Sequence, residues 1–402
     1  MKADNIPSVP ARMSERRTTM IGALLTAIGP ISMAIYTPAM PELVRAFDTT
    51  EAAIKMSLSL YFAGFALAQL CAGPMSDAFG RRKASLVFLL IYLGGSQIAA
   101  LAPSVEWILA GRLVQGIGAS VGITVSRAIV RDQFNGPDAA RILNMMNIIL
   151  AIGPALGPTI GGLALAGFGW RAIFLLMVGF GALLLFLSTV CMKETTVSDP
   201  SRVKPARLVQ AYAEIIGQKR FLFTAVVLAG AVGSMYAQAA VLPFILIERV
   251  GLTPTQFGMS MLMQSGFYLM GSICLRFVSK WLAAERAPVI GLMLSGTGAL
   301  AIAISTQVFP PSFASIMVPV AICAVGIAFV IPYITAAGLM PFPHIAGSAS
   351  AMMGFIQMTA GFVGGVAAAS IGEPVIAFGI IIPLMHFAAI CAYIGYRKTS
   401  RR

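Results

Sequence analysis

The stretch Gly73-Pro74-Met75-Ser76-Asp77-Ala78-Phe79-Gly80-Arg81-Arg82-Lys83 lies between two apolar runs, 54–74 and 84–102. A hydrocarbon core about 30 Å thick is crossed by roughly twenty apolar residues of helix. The stretch therefore reads as a tight turn at a membrane face, joining two spans. Gly73 lets neighbouring helices approach, and Gly80 permits the chain to reverse. Asp77 is a carboxylate at the membrane edge, which is costly unless it has partners. Taken singly, Arg81, Arg82 and Lys83 could do no more than mark one side of the membrane. The whole GxxxDxxGRRK string is hard to obtain by chance.

Working outward on the same rule gives further spans near 18–40, 106–130, 142–166 and 171–191. A second set follows near 221–246, 254–277, 287–307, 313–335, 346–369 and 375–396. That is six spans, an interruption and six more. The expected organisation is an N-terminal six-helix unit (1–191), a polar linker (192–220) holding Lys193, Glu194, Asp199, Arg202, Lys204, Arg207, Lys219 and Arg220, and a C-terminal six-helix unit (221–402). The basic start at Lys2, Arg12, Arg16 and Arg17 leads into a run too long for a signal peptide, so the first span reads as uncleaved.

Composition agrees. The chain is 58% hydrophobic and 11% charged, with a mean hydropathy of +0.87. Soluble domains carry about 25% charged residues. Of the 28 basic residues, Arg45, Lys55, Arg171 and Arg249 fall at one face, Arg112 lies within a span, and the rest fall at the face of the termini and linker. That bias places termini and linker on the cytoplasmic side of the membrane. The net charge of +13 is then topology and attraction to anionic lipid, and no nucleic-acid partner is expected. Cys71, Cys191, Cys274, Cys323 and Cys391 show no metal-ligand spacing and read as small buried apolar residues. Without a GxxxxGK[ST] loop, an HExxH or a GxSxG, neither ATP-driven transport nor an enzyme is expected, and no cofactor or metal. Nothing requires more than a monomer.

Three other stretches are as specific. Span 4 holds Arg112-Leu113-Val114-Gln115-Gly116-Ile117-Gly118, and span 5 holds Gly153-Pro154-Ala155-Leu156-Gly157-Pro158-Thr159-Ile160-Gly161-Gly162. Span 6 opens on Trp170-Arg171-Ala172-Ile173-Phe174. With the Asp77 turn, these resemble the signature loop, RxxQGxG, GP..GP..GG and WRxxF motifs of the major facilitator superfamily, in its drug–proton antiporter branch. The stretch from Arg127 to Asp132 and the segment Phe342-Pro343-His344-Ile345-Ala346-Gly347-Ser348 resemble the Bcr/CflA group of bacterial multidrug exporters.

The resemblance implies an all-α membrane fold of two six-helix bundles around a central cavity, which rock to alternate access. It implies a proton-coupled exporter of small organic compounds; import of a metabolite, or uncoupled facilitation, is the alternative. It also implies a charge cluster of Asp77, Arg81 and an acid at the end of span 4, for which Asp132 is the local candidate, with Arg131 or Arg127 nearby; this cluster, in the turn that also holds Arg82, is expected to latch the outward-open state. In that cluster Asp77 would face the N-terminus of span 11 near Gly347, favoured by the helix dipole. Pro154 and Pro158 remove backbone donors and bend span 5, while Gly157, Gly161 and Gly162 give it a flat packing face, so a gating role is expected there.

Arg112 is a cation at membrane depth, which is functional by default; snorkelling to the outer interface is the structural alternative. Span 1 departs from the group's PxSxDxYxPxxP pattern, because Ala34 stands where an aspartate is usual. None of the fifteen acids falls in the middle of a span. A buried carboxylate normally takes up the coupling proton and neutralises a cationic drug. Without one, a cavity holding Arg112 suits a neutral, zwitterionic or anionic substrate. Protons could still use Asp77 and Asp132, or His386. The resemblance implies that spans 1, 4, 7 and 10 line the central cavity, so the other expected cavity residues are Met33, Tyr36, Gln115, Tyr236, Gln238 and Tyr333, with Asn144 and Asn147 in span 5.

Overall fold

The computed structural model describes residues 13–196, 205–281 and 283–400, and their side chains except those of 140, 147–152, 205, 207, 344 and 400. Lys2, Arg12, Asp199, Arg202 and Lys204 therefore lie outside the described residues. The described chain is helical throughout, without a strand. Eleven of its helices are long and apolar enough to cross a membrane. They are α1 (Glu15–Ala46), α2 (Glu51–Phe79), α3 (Arg81–Ala100), α4 (Val105–Gln133), α6 (Trp170–Val190), α7 (Lys219–Ala239), α8 (Pro254–Val278), α9 (Ala284–Val308), α10 (Phe313–Leu339), α11 (Ala346–Ile371) and, to Thr399, α12 (Pro374–Ser400). The twelfth, α5, is the 33-residue helix Gly136–Phe168.

Each expected span maps onto one of these helices, although span 221–246 runs past the end of α7 at Ala239 into a separate π-helical turn, Phe244–Arg249. Several helices overrun the apolar windows because backbone hydrogen bonding continues through the interface. Their ends follow local chemistry. Thr50 accepts from the Ala53 N–H at 3.2 Å to cap α2. Thr253 with Gln256, and Ser312 with Ser315, form capping boxes at α8 and α10. The α2–α3 turn passes through Gly80 at φ 101°, a conformation that penalises any residue with a Cβ.

The first bundle packs α2 and α3 on α4, α3 on α6, and α1 on α5; the second repeats this with α8 and α9 on α10, α9 on α12, and α7 on α11. The bundles meet along α2–α11 and α5–α8. Glycine sets the spacing. A Cβ on Gly116 of α4 would fall on the Tyr61 carbonyl of α2, and one on Gly122 on the Leu25 carbonyl of α1. Gly116→Ala is expected to cost about 1–3 kcal/mol of stability, the usual penalty of overpacking a rigid contact. Thermal unfolding checks it, with Gly94→Ala as the control, since nothing lies within 4 Å of a Cβ there.

One expectation needs correction, and one segment gains detail. Within the linker, Pro205–Gly217 is a helix whose Ile215 is fully buried and whose Tyr212 hydroxyl donates to the Leu70 carbonyl at 2.7 Å. The cysteines were read as buried, yet Cys71, Cys274 and Cys391 are exposed on the protein surface, and only Cys323 is buried. At membrane depth that surface meets lipid, so an apolar neighbourhood does not require protein burial.

Candidate functional site

Arg112 sits two turns into α4 and is entirely shielded from solvent. The snorkelling alternative is thereby set aside. The tight glycine contacts of α4 bring α1, α2 and α3 around it. The guanidinium carbon lies 4.3 Å from the ring centroids of both Tyr36 and Tyr61, so the cation is held by two aromatic rings. It donates to the Gln115 side chain and, at 3.5 Å, to the Ser32 carbonyl. Gln115 donates onward to Ser96 Oγ at 2.7 Å. The box closes through Tyr92 and Ser32 at 2.6 Å, Tyr36 and Ser57 at 2.5 Å, and the Tyr61 hydroxyl donating to Gly29 O at 2.9 Å. Nε and one terminal nitrogen of Arg112 have no hydrogen-bond partner, and no described carboxylate pairs with it.

Of the expected cavity residues, the structure gathers Arg112, Gln115 and Tyr36. Met33 packs on the same core from a half-buried position. Tyr236 stands across the bundle interface, 5.3 Å from Phe62, and Gln238 is buried beside the end of α7. Asn144 is exposed, away from this box, and the Asn147 side chain lies outside the described residues. Tyr333 is elsewhere: it lines a cavity inside the second bundle with Arg220 and Arg397. His386 is buried, its Nδ1 at 3.0 Å from the Ile382 carbonyl and its Nε2 unpartnered. Tyr61 and Tyr92 were missed in the sequence. Tyr61 was nonetheless detectable, as an aromatic one turn after Ser57 on a polar stripe within an otherwise apolar span.

The second group is the α2–α3 turn. Arg81, 3% exposed at its side chain, pairs with Asp77 and, at 2.9 Å, with Asp132; it also donates to Ser76 Oγ at 2.7 Å. Glu194, just past α6, accepts from the backbone N–H groups of Arg81 and Arg82 at 2.7 and 3.2 Å, an acid at a helix N-terminus. The Arg82 side chain donates to the Thr189 carbonyl at 2.5 Å. The expected neighbour of Asp77 differs. The groups at the N-terminus of α11 are Arg127, 3.4 Å from Ser350 Oγ, and Arg131, beside Gly347.

At the opposite end the bundles are bridged by charge. Arg45 pairs with Glu248 at 3.6 Å, and Arg249 pairs with Glu51 at 3.6 Å and Glu373 at 3.3 Å. Lys55, assigned from the sequence to the face opposite the termini, has a buried side chain whose ammonium donates to Glu51 at 3.2 Å and to the Gly372 carbonyl at 3.1 Å. Its position four residues after Glu51 was the available signal. The α5–α8 contact is equally close: a Cβ on Gly162 would strike the Pro254 carbonyl, and one on Gly258 would meet Pro158 and Thr159. Gly157 and Gly161 pack on Ala34 and Ile35 of α1 instead. The α5 helix runs unbroken through Pro154 and Pro158.

The Major Facilitator Superfamily profile matches residues 12–396. The chain is 27% identical over 350 residues to an uncharacterised transporter of this type, YdgK of Bacillus subtilis, covering 85% of each. It is 26% identical to multidrug resistance protein D of Escherichia coli K12, covering 83% of this chain and 84% of that one. Against the multidrug resistance protein MdtL of Escherichia coli O45:K1 the identity is 28%, over 83% of each. Among solved structures, a bacterial homologue of the lysosomal transporter Spinster aligns with a TM-score of 0.73 at 14% identity, over 97% of this chain and 98% of that one. A D-xylose–proton symporter aligns at 0.70 with 13% identity, over 93% and 97%. Identities this low speak for the fold.

Proposed function

Because the chain belongs to the major facilitator superfamily, we propose that this multi-pass membrane transporter exports small organic compounds across a bacterial inner membrane by alternating access, with both termini in the cytoplasm. The units of the exchange are the two six-helix bundles, residues 1–191 and 221–402, joined by 192–220. The multidrug resistance proteins among its relatives support export, and the positive-inside bias supports the orientation.

The observation that carries the substrate class is Arg112, a fully buried cation between two tyrosines with no acid beside it. A site with this charge repels lipophilic cations and favours neutral, zwitterionic or anionic solutes. The cluster at Asp77, Arg81 and Asp132 acts as the conformational latch, and the glycine contacts of α5 with α8 form the seam that must part when the opposite face opens. Proton coupling runs through Arg112 with the cluster acids or His386. The one observation favouring uncoupled facilitation is Ala34, which leaves the first bundle without a membrane-depth carboxylate.

The test uses purified protein in liposomes holding a pH-sensitive dye, with a chemically varied panel of antibiotics and metabolites outside. Proton movement on adding a neutral or anionic compound is the expected result. Equilibration of compounds without proton movement would replace the exporter reading with a facilitator. Efflux of ethidium-like cations from a pump-deficient host would overturn the substrate class.

A further inference from the structure

The second bundle carries, at the same face as the Arg81 cluster, a cavity of about 860 Å³. Its walls come from the start of α7, the start of α9, the inner half of α10 and the end of α12. They include Arg220, Arg286, Arg397, Glu285, Tyr333 and Tyr396. Three arginines and one acid therefore line it. No described acid lies within ion-pair distance of any of the three arginines. Arg220 lies over the Tyr396 ring at 5.7 Å, and its Nε is buried with no partner. Tyr393 donates to the Glu285 backbone carbonyl at 3.3 Å, tying α12 to the start of α9 and fixing the rim.

The bundles' internal repeat makes this imbalance informative. In the first bundle the equivalent corner is the start of α3, the end of α4 and the segment after α6. There Arg81 is closed by Asp77 and Asp132, and Glu194 caps the helix start. In the second bundle the corresponding places hold Arg286 at the start of α9, Tyr333 and Ala337 on α10, and Arg397 on α12. The protein supplies the anions in one bundle and leaves them out in the other. The cavity is net positive, with Arg286 and Arg397 exposed at its rim and the Arg220 Nε buried without a partner, and such a site at the membrane edge attracts an anion from outside.

We propose that this cavity binds a phosphate-bearing anion, as presented by the headgroup of an anionic phospholipid. Arginine forks match phosphate oxygens, and tyrosines at the rim suit the boundary between headgroup and acyl chain. The cavity volume is within the range of small-ligand sites. This inference stands on its own whether or not the chain exports drugs, because it is read by binding rather than transport.

The experiment is native mass spectrometry of the full-length protein in detergent with added phosphatidylglycerol, cardiolipin or zwitterionic phosphatidylethanolamine. Wild type should retain the anionic lipids in preference. Arg220→Gln and Arg397→Gln should each lower that retention about fivefold, the usual weight of one basic residue at an anionic surface. Arg249→Gln, at the far face, should leave it unchanged. Arg397 is exposed at the end of α12, so its variant serves if Arg220→Gln fails to fold. A parallel arm measures thermal protection by inorganic phosphate and by glycerol phosphate. Protection by these without lipid preference, lost in the variants, would support the anion site and assign it to soluble phosphate compounds. Equal retention of anionic and zwitterionic lipid together with no phosphate protection would overturn the proposal, as would binding that the variants do not alter.

Discussion

Arg112→Met should leave thermal stability within about 1 kcal/mol of wild type while lowering transport at least about a hundredfold. The stability half rests on two opposing sums. Burying a cation costs several kcal/mol even after the protein relaxes. Against that, the two desolvated ring contacts return roughly 2 kcal/mol each, and the charged bond to Gln115 about 1.5–3 more. The sums nearly cancel because two guanidinium nitrogens stay unpartnered. Methionine keeps most of the volume between Tyr36 and Tyr61 and adds no charge. Arg112→Ala would leave a cavity as well, so it mixes the two effects and is the poorer probe. The transport half follows from the proposed role. If the cation selects the substrate or answers the proton, its loss removes about 3 kcal/mol of differential interaction, which is more than two decades. Uptake into proteoliposomes and unfolding of the same preparation read both quantities. A large fall in stability would mean that Arg112 is structural, and unchanged transport would remove it from the mechanism.

The spans, their count and the motif turn at Gly80 were legible because each depends on a local property. Twenty apolar residues make a crossing helix whatever surrounds them, and Gly80 is needed at φ 101° by its own backbone alone. The Arg112–Gln115 pair was legible for the same reason, being one turn apart on α4. What escaped was set by partners far away in the chain. Tyr61 and Tyr92 join Arg112 only because α2 and α3 close on α4 at Gly116 and Gly118, where a Cβ would strike Tyr61 and Tyr92 backbone atoms. Lys55 is buried by the Gly372 carbonyl from the other bundle, beyond the reach of any window on the sequence. Tyr333 has the right composition and helix for the central site, yet its side of α10 faces the second bundle's own interior. The Pro205–Gly217 helix shows the reverse case. Its Leu208, Tyr212 and Ile215 spacing carries the helical period, but the charges around it masked the pattern.

Asp77→Asn is expected to move the bundles toward the form seen here and to slow transport about fivefold or more. In this structure the far face is bridged by Arg45–Glu248 and Arg249–Glu51, while Asp77 is engaged only within its own bundle, by Arg81. If the cluster latches the outward-open state, its contact with the N-terminus of α11 forms only when those bridges part. Arg127 and Arg131 hold that helix end now and would have to give way. A carboxylate at a helix N-terminus contributes about 1 kcal/mol, roughly fivefold in the ratio of two states. Asparagine keeps the shape and loses that term, so the outward-open population falls by this factor. Insertion is spared, because Arg81, Arg82 and Lys83 still mark the turn. Spin labels at Ala46 and Ser370, exposed at the bridged face on opposite bundles, would report the shift as loss of the longer distance. A purely topogenic turn predicts an unchanged distance distribution and unchanged transport, and that result would end the latch. Asp132→Asn should do less. Its carboxylate meets Arg81 from inside the same bundle, so removing it leaves Asp77 able to form the contact across the interface once the far-face bridges part.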